Sequence, residues 1–164
     1  MSGYGVSEDP EGLLPWSWAE ERLAESRNFW LVTVDGDGRP HAMPVWGVWM
    51  PERERFGFSC APTARKVRNL AENAQVVVTG EDTVRVVSIE GTAVRLNETD
   101  ADRMARAWFA KYIDEPGFDD EEAAVGFVLA AAAYEVIPDR AFGLIEEPDQ
   151  FSERATRWTW DPPG

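Results

Sequence analysis

The runs FWLVTVD and HAMPVWGVWM, rich in β-branched and aromatic residues, are joined by DGDGRP, a turn of Asp-Gly and Gly elements too short to hold a helix. That junction constrains the fold most, because strands joined so tightly must pair antiparallel. A second pair, AQVVVTGED and VRVVSIEGTAVRL, is separated only by a charged turn. A doubly wound parallel sheet would need a helix after nearly every strand, and these hairpins exclude it. RFGFSC, YEVIPDRAFGLI and ATRWTWD also read as strands, which makes six to seven, mostly antiparallel. A sheet of that size removes its exposed edges by closing into a barrel.

Helical spacing interrupts the strands. SWAEERLAESRNF opens a helix with Ser17 as N-cap and Glu20 completing a capping box. Residues 63–72 place Val67, Leu70 and Ala71 on one face, with Thr63 as cap. TDADRMARAWFAKY, capped by Thr99, gathers Met104, Ala105, Trp108, Phe109 and Tyr112 on one side. DEPGFDDEE reads as a solvated loop leading into a further helix, and AAVGFVLAAA is a short apolar, Ala-rich segment. The expectation is two to four short helices around the sheet. A chain of 164 residues makes one domain, here 13–164, behind a Gly-, Ser- and acid-rich tail over 1–12 that is expected to be disordered.

Charge removes several function classes. With 30 Asp and Glu against 16 Lys and Arg, the net charge of -14 repels nucleic-acid phosphates, and no basic stripe compensates. No apolar run approaches the roughly 18 to 20 residues that cross a bilayer. The N-terminus has neither the basic nor the apolar region of a secretory signal, so a cytoplasmic location is expected. Cys60 is the only cysteine and His41 the only histidine, which leaves no ligand set for a structural metal.

Against that background, Arg65 and Lys66 stand out. Both fall in the first turn of the 63–72 helix, where the macrodipole is positive and acids are favoured. A phosphate bound there explains them: free backbone N–H groups, the dipole and two cations converge on one anion, with Ser59 able to donate a hydroxyl from the strand end. The alternative is that both cations are exposed and reach acids elsewhere on the surface. Pro44 cannot donate to a sheet ladder, so its strand is irregular or at an edge, and backbone groups beside Met43 and Val45 are then available to a flat heterocycle. His41 has no nucleophile beside it, and there is no serine elbow and no activated cysteine, so no catalytic side chain is assigned. This composition suits a chain whose cofactor performs the chemistry.

GRPHAMPVWGVW, TARKVRNL, VVSIEGTAVRL and ATRWTW, in that order, resemble the flavin and deazaflavin oxidoreductases of the pyridoxamine 5'-phosphate oxidase-like superfamily. LPWSWAEERLAESRNFWLVT resembles its actinobacterial branch, which often uses the deazaflavin coenzyme F-420. The resemblance covers roughly residues 13–161. It implies a Greek-key split β-barrel and a homodimer with coenzyme F-420 or FMN at the subunit interface. It further implies that Arg65 and Lys66 hold the cofactor phosphate near Ser59 and Asn69. His41, Met43, Pro44, Val45 and Trp46 would line the ring and ribityl chain, and Arg157 and Trp158 would reach across the dimer. The implied activity is hydride transfer between the cofactor and a small, planar, electron-poor substrate. A binder or carrier of a flavin, haem or tetrapyrrole in the same pocket is the other reading. Pro62 and the acidic DEPGFDDEE segment depart from the family pattern.

Overall fold

The DGDGRP turn does close a hairpin. β1 (Phe29–Val34) pairs antiparallel with β2 (Pro40–Val45), and Gly38 takes φ 81°, a backbone conformation that glycine adopts without steric cost. The computed structural model describes residues 12–117, 119–150 and 154–160. The tail expectation over 1–12 therefore lies, apart from Gly12, outside the described residues.

The remaining strands are β3 (Gly47–Met50), β4 (Arg55–Cys60), β5 (Gln75–Gly80), β6 (Arg85–Arg95), β7 (Ala132–Ile145) and β8 (Thr156–Thr159). They form one antiparallel sheet in the order β2-β1-β5-β6-β7-β4-β3, with β8 pairing β7. Eight strands appear among the described residues where six to seven were expected, because HAMPVWGVWM is two strands broken at Trp46. Consecutive in the chain, β2 and β3 nevertheless lie at opposite ends of the sheet order. A single residue joins those ends, so the sheet curls round on itself as a split barrel. Pro44 sits on the terminal strand β2, where a missing ladder donor is tolerated.

Phe29, Leu31, Phe56, Phe58, Val78, Ile89 and Val136 fill the inside of the curl, each at most 1% exposed. Each such side chain contributes about 1.5–3 kcal/mol of burial. Among the described residues four helices flank the sheet: α1 (Trp16–Glu25), α2 (Arg65–Glu72), α3 (Glu98–Tyr112) and α4 (Glu121–Leu129). Met104, Ala105, Trp108, Phe109 and Tyr112 are all buried, as the α3 spacing predicts, and they form a second core with α4 and β3. None of these helices is long and apolar enough to cross a membrane.

The helix starts differ from expectation at three places. Pro15, whose φ is fixed, precedes the first turn of α1, so Ser17 lies inside the helix, and the Glu20 carboxylate accepts from Trp49 Nε1 at 3.1 Å instead of closing a capping box. Ala64, not Thr63, occupies the N-cap of α2 and offers no side-chain acceptor. Asn97 caps α3 by accepting from the Asp100 N–H at 2.9 Å, which puts Thr99 within the first turn.

α3 also fastens the junction between β2 and β3. The Tyr112 hydroxyl accepts from the Gly47 N–H at 3.1 Å and lies 2.8 Å from the Arg27 carbonyl, to which it donates. The Lys111 ammonium donates to the carbonyls of Leu23 (3.0 Å) and Gly47 (3.1 Å) and rests over the Phe29 ring at 4.5 Å. Trp46 donates its indole N–H to Asn28 and stacks on Tyr112 with ring centroids 5.0 Å apart.

Candidate cofactor site

Thr33 is a polar residue on the inner face of β1, in phase with Phe29 and Leu31, and it is fully buried. A hydroxyl there needs a partner. Asn69 of α2, itself buried, supplies one by donating Nδ2 to Thr33 Oγ1 at 2.9 Å. Four residues earlier, on the same face of α2, Arg65 donates to Asp35 at 3.0 Å. The Asp35 carboxylate also accepts the Arg39 N–H, and these bonds, with Arg65 beside it, hold its pKa below the usual carboxylate range. α2 is thus pinned across the end of the β1–β2 hairpin by the buried Asn69–Thr33 hydrogen bond, the Arg65–Asp35 ion pair and the Gly36 N–H donated to the Glu72 carboxylate at 2.9 Å.

Cross-strand register carries the next group. His41 faces Thr33, Met43 faces Leu31 and Val45 faces Phe29, so these three β2 side chains lie on the inner face. Val45 is buried, whereas Met43 is 45% exposed despite facing inward, because no strand pairs the far side of β2. His41 Nδ1 is buried and has no hydrogen-bond partner among the described residues. Pro44 points to the outer face, opposite Trp30.

Lys66, one position round α2 from Arg65, makes no ion pair or hydrogen bond among the described residues. Its charge is felt instead at Cys60, at the end of β4, together with that of Arg95. Burial outweighs both cations and pushes the Cys60 thiol pKa up, so the sulfur stays protonated at neutral pH. Of the two alternatives raised by the sequence, Arg65 follows the surface-pairing one through Asp35, while Lys66 is left unneutralised.

The structure brings Arg65 and Asn69 of α2 to the hairpin end, beside the inner face of β2 that carries His41, Met43 and Val45, with Lys66 turned toward Cys60. Ser59 is not brought to that face: it lies on β4 opposite Ala133 and lines a cleft with Phe127 of α4. Asn69 is committed to Thr33. Trp46 packs instead with Tyr112 and Trp108, under the Arg27 guanidinium. Trp158 lies in a cluster with Trp16, whose ring is 5.2 Å away, and Arg157 is exposed on β8 opposite Phe142. Sequence reasoning missed Thr33, Asp35 and Arg95. A polar residue in phase with Phe29 and Leu31 was the available sign for Thr33; Asp35 and Arg95 carry no local one.

A model of the family described as pyridoxamine 5'-phosphate oxidase matches residues 18–141, most of the chain. The chain belongs to that family. Among solved structures, this pyridoxamine 5'-phosphate oxidase-family chain is similar to a conserved hypothetical protein of Mycobacterium tuberculosis, at 17% identity and a TM-score of 0.69, covering 83% of this chain and 88% of that one. It is also similar to an F-420 reductase, at 21% identity and a TM-score of 0.59 over 74% of this chain and 94% of that one. A third similar structure is the haem storage protein of Vibrio cholerae, at 20% identity and a TM-score of 0.55 over 73% and 87%. Likeness at these identities fixes the fold shared within the family. No curated protein matches the chain.

Proposed function

We propose that the protein is a cytoplasmic oxidoreductase that uses coenzyme F-420 or FMN, with the cofactor phosphate at Lys66 and the first turn of α2. The observation that carries this reading is Lys66 itself, an unneutralised cation at an uncapped helix N-terminus in a chain of net charge -14. The residues present fit such a group. His41 Nδ1 is a buried polar atom in need of a partner, and the inner face of β2 is open at Met43. When bound, a flavin or deazaflavin supplies two-electron hydride transfer to a small, planar, electron-poor substrate. The chain's own part is to hold and shield. Lys66 acts as a point charge on the phosphate, His41, Met43 and Val45 flank the ring side, and Asn69 keeps α2 in place through Thr33. No side chain is assigned to proton transfer.

A second copy of the chain completes this reading. The outer face of β2, β1 and β5 carries Trp30, 48% exposed, among Pro44, Val32, Ala42 and Val77. A homodimer through this face would cover the patch and set the cofactor near the interface, where Arg157 and Trp158 of the partner copy are candidates for the far wall.

The test is equilibrium binding of FMN and coenzyme F-420 in parallel, read by quenching of tryptophan fluorescence, on wild type and on Lys66→Ala. The expected result is binding of one cofactor that weakens tenfold or more in the variant, as for loss of a charge-assisted contact of about 1.5–3 kcal/mol. Unchanged affinity in Lys66→Ala would remove the clamp. A Soret band on haem titration that disappears in His41→Ala, with no flavin or deazaflavin binding, would replace the oxidoreductase with a haem carrier.

A further inference from the structure

β4 and β8 lie end to end along one edge of β7. The β4 ladder ends at Phe56, opposite Val136, and the β8 ladder begins at Thr159, opposite Arg140. Ile137 and Pro138 therefore have no strand opposite them on that edge, and both line a cleft of about 620 Å³. That volume lies within the range of about 300–1,000 Å³ common for small-molecule sites. The cleft is separate from the place assigned to the cofactor: Arg55, which lines it, and Cys60, which feels the charge of Lys66, are at opposite ends of β4.

Tryptophans form its apolar part. The Trp16 ring meets Trp158 at a centroid distance of 5.2 Å and an angle of 73°, and Trp160 at 4.9 Å and 84°. Rings set nearly at right angles make a corner and not a parallel-walled slot, so a flat ligand stacks on one wall at most. A thicker, saturated ring fills such a corner better. Trp16 Nε1 is also shut off from water with no hydrogen-bond partner among the described residues. An occupant that offers an oxygen as this indole turns toward it relieves that cost.

The polar part is balanced in charge. Arg55 donates to the carbonyls of Arg53 at 3.2 Å and Glu54 at 2.9 Å, which fixes its guanidinium against the β3–β4 turn, and it makes no ion pair among the described residues. Glu54 lines the same cleft, is exposed and is likewise without an ion pair among the described residues. It is the one described non-glycine residue with a positive φ, 52°, the kind of backbone strain that clusters at ligand sites. A carboxylate beside a guanidinium presents an acceptor and donors with no net charge. That pairing favours neither an anion nor a cation and matches hydroxyl groups, each of which both gives and takes a hydrogen bond.

We propose that this cleft is a second ligand site, one for a neutral sugar, whose C–H face rests in the tryptophan corner while its hydroxyls accept from Arg55 and donate to Glu54.

The probes are maltose and cellobiose, titrated into the full chain and followed by calorimetry and by NMR of the indole N–H groups, with Trp16→Phe identifying the Trp16 signal. At least one disaccharide is expected to bind and to shift the Trp16 and Trp160 signals, leaving those of Trp46 and Trp108, at the second core, in place. Arg55→Gln and Glu54→Gln should each weaken binding several-fold, and Trp160→Ala tenfold or more. Trp158 is left unchanged, since it is also a candidate for the partner copy's wall at the cofactor. FMN and coenzyme F-420 affinities should keep their wild-type values in all three variants. Failure of both disaccharides to bind, shifts confined to tryptophans outside the cleft, or an affinity indifferent to Arg55→Gln and Trp160→Ala would overturn the proposal. Tighter, Trp160-dependent binding of 2-quinolinone, a flat neutral amide, would overturn it as well. FMN or coenzyme F-420 that displaces the sugar would give the cleft to the cofactor. Sugar binding as described, in a chain that binds neither cofactor, would leave this site standing and sink the cofactor reading instead.

Discussion

Arg65 and Lys66 are adjacent, and the fold gives them opposite neighbourhoods. One turns toward β1 and meets Asp35; the other turns toward the end of β4 and meets no acid among the described residues. Asp35 therefore competes with any anion for Arg65. Replacing it with Asn removes the competitor without removing the side chain that receives the Arg39 N–H. The expected outcome for Asp35→Asn is a several-fold gain in phosphate-cofactor affinity, measured by fluorescence titration; a loss would mean that Arg65 serves only to pin α2. The pair of cations could be read from the sequence because helix spacing fixed their place in the first turn. Their division of labour could not, since Asp35 lies 30 residues away and its approach depends on how the hairpin packs on α2.

At the scale of elements, the hairpins and the antiparallel order were readable because short turns leave the strands no other arrangement. The break at Trp46 was not. HAMPVWGVWM is an almost unbroken apolar run in which Pro44 marks an edge or irregularity but nothing marks Trp46, and the clamp from α3 shows why the chain changes sheet ends there. Helix starts were misread where side-chain caps were assumed, since Pro15 and Ala64 begin helices without them. The clamp has a pH signature. Burial lowers the pKa of Lys111 to about 8, below the value of about 10.4 for an exposed lysine. Between those values the unfolded chain holds a proton that the folded chain has released, so stability rises with pH across this window. Urea unfolding of wild type and Lys111→Met at about pH 7 and about pH 9.5 should show wild type gaining on the variant at the higher pH. Tyr112, raised to about 12 by burial, gives the opposite slope above its ordinary value of about 10, which is why the comparison stops short of it. A gap between wild type and variant that does not change with pH would mean that the ammonium keeps its proton throughout the window.

Across the whole molecule, the family was readable from short segments in order: the matched span of 18–141 contains three of them, while ATRWTW, at residues 155–160, lies beyond it. The assembly is where the sequence ran out, because an exposed tryptophan on a strand looks the same in a sequence whether it meets water or another chain. If the outer face around Trp30 is the dimer contact, Trp30→Glu should convert the protein to a monomer in light scattering and weaken cofactor binding with it. A wild-type monomer, or a dimer indifferent to the substitution, would remove that face from consideration. The closure of the sheet has its own consequence. β2 and β3 are not paired with each other, and one peptide stretch at Trp46 spans the gap between the two ends. The protein is in effect a hoop whose girth follows from the number and stagger of its strands and whose two ends are joined in the chain by that one stretch. Lengthening the strands would leave the opening unchanged, whereas one residue inserted beside Trp46 would add slack that no ladder hydrogen bond takes up, widening the mouth beside Met43 and loosening the hold of α3 together.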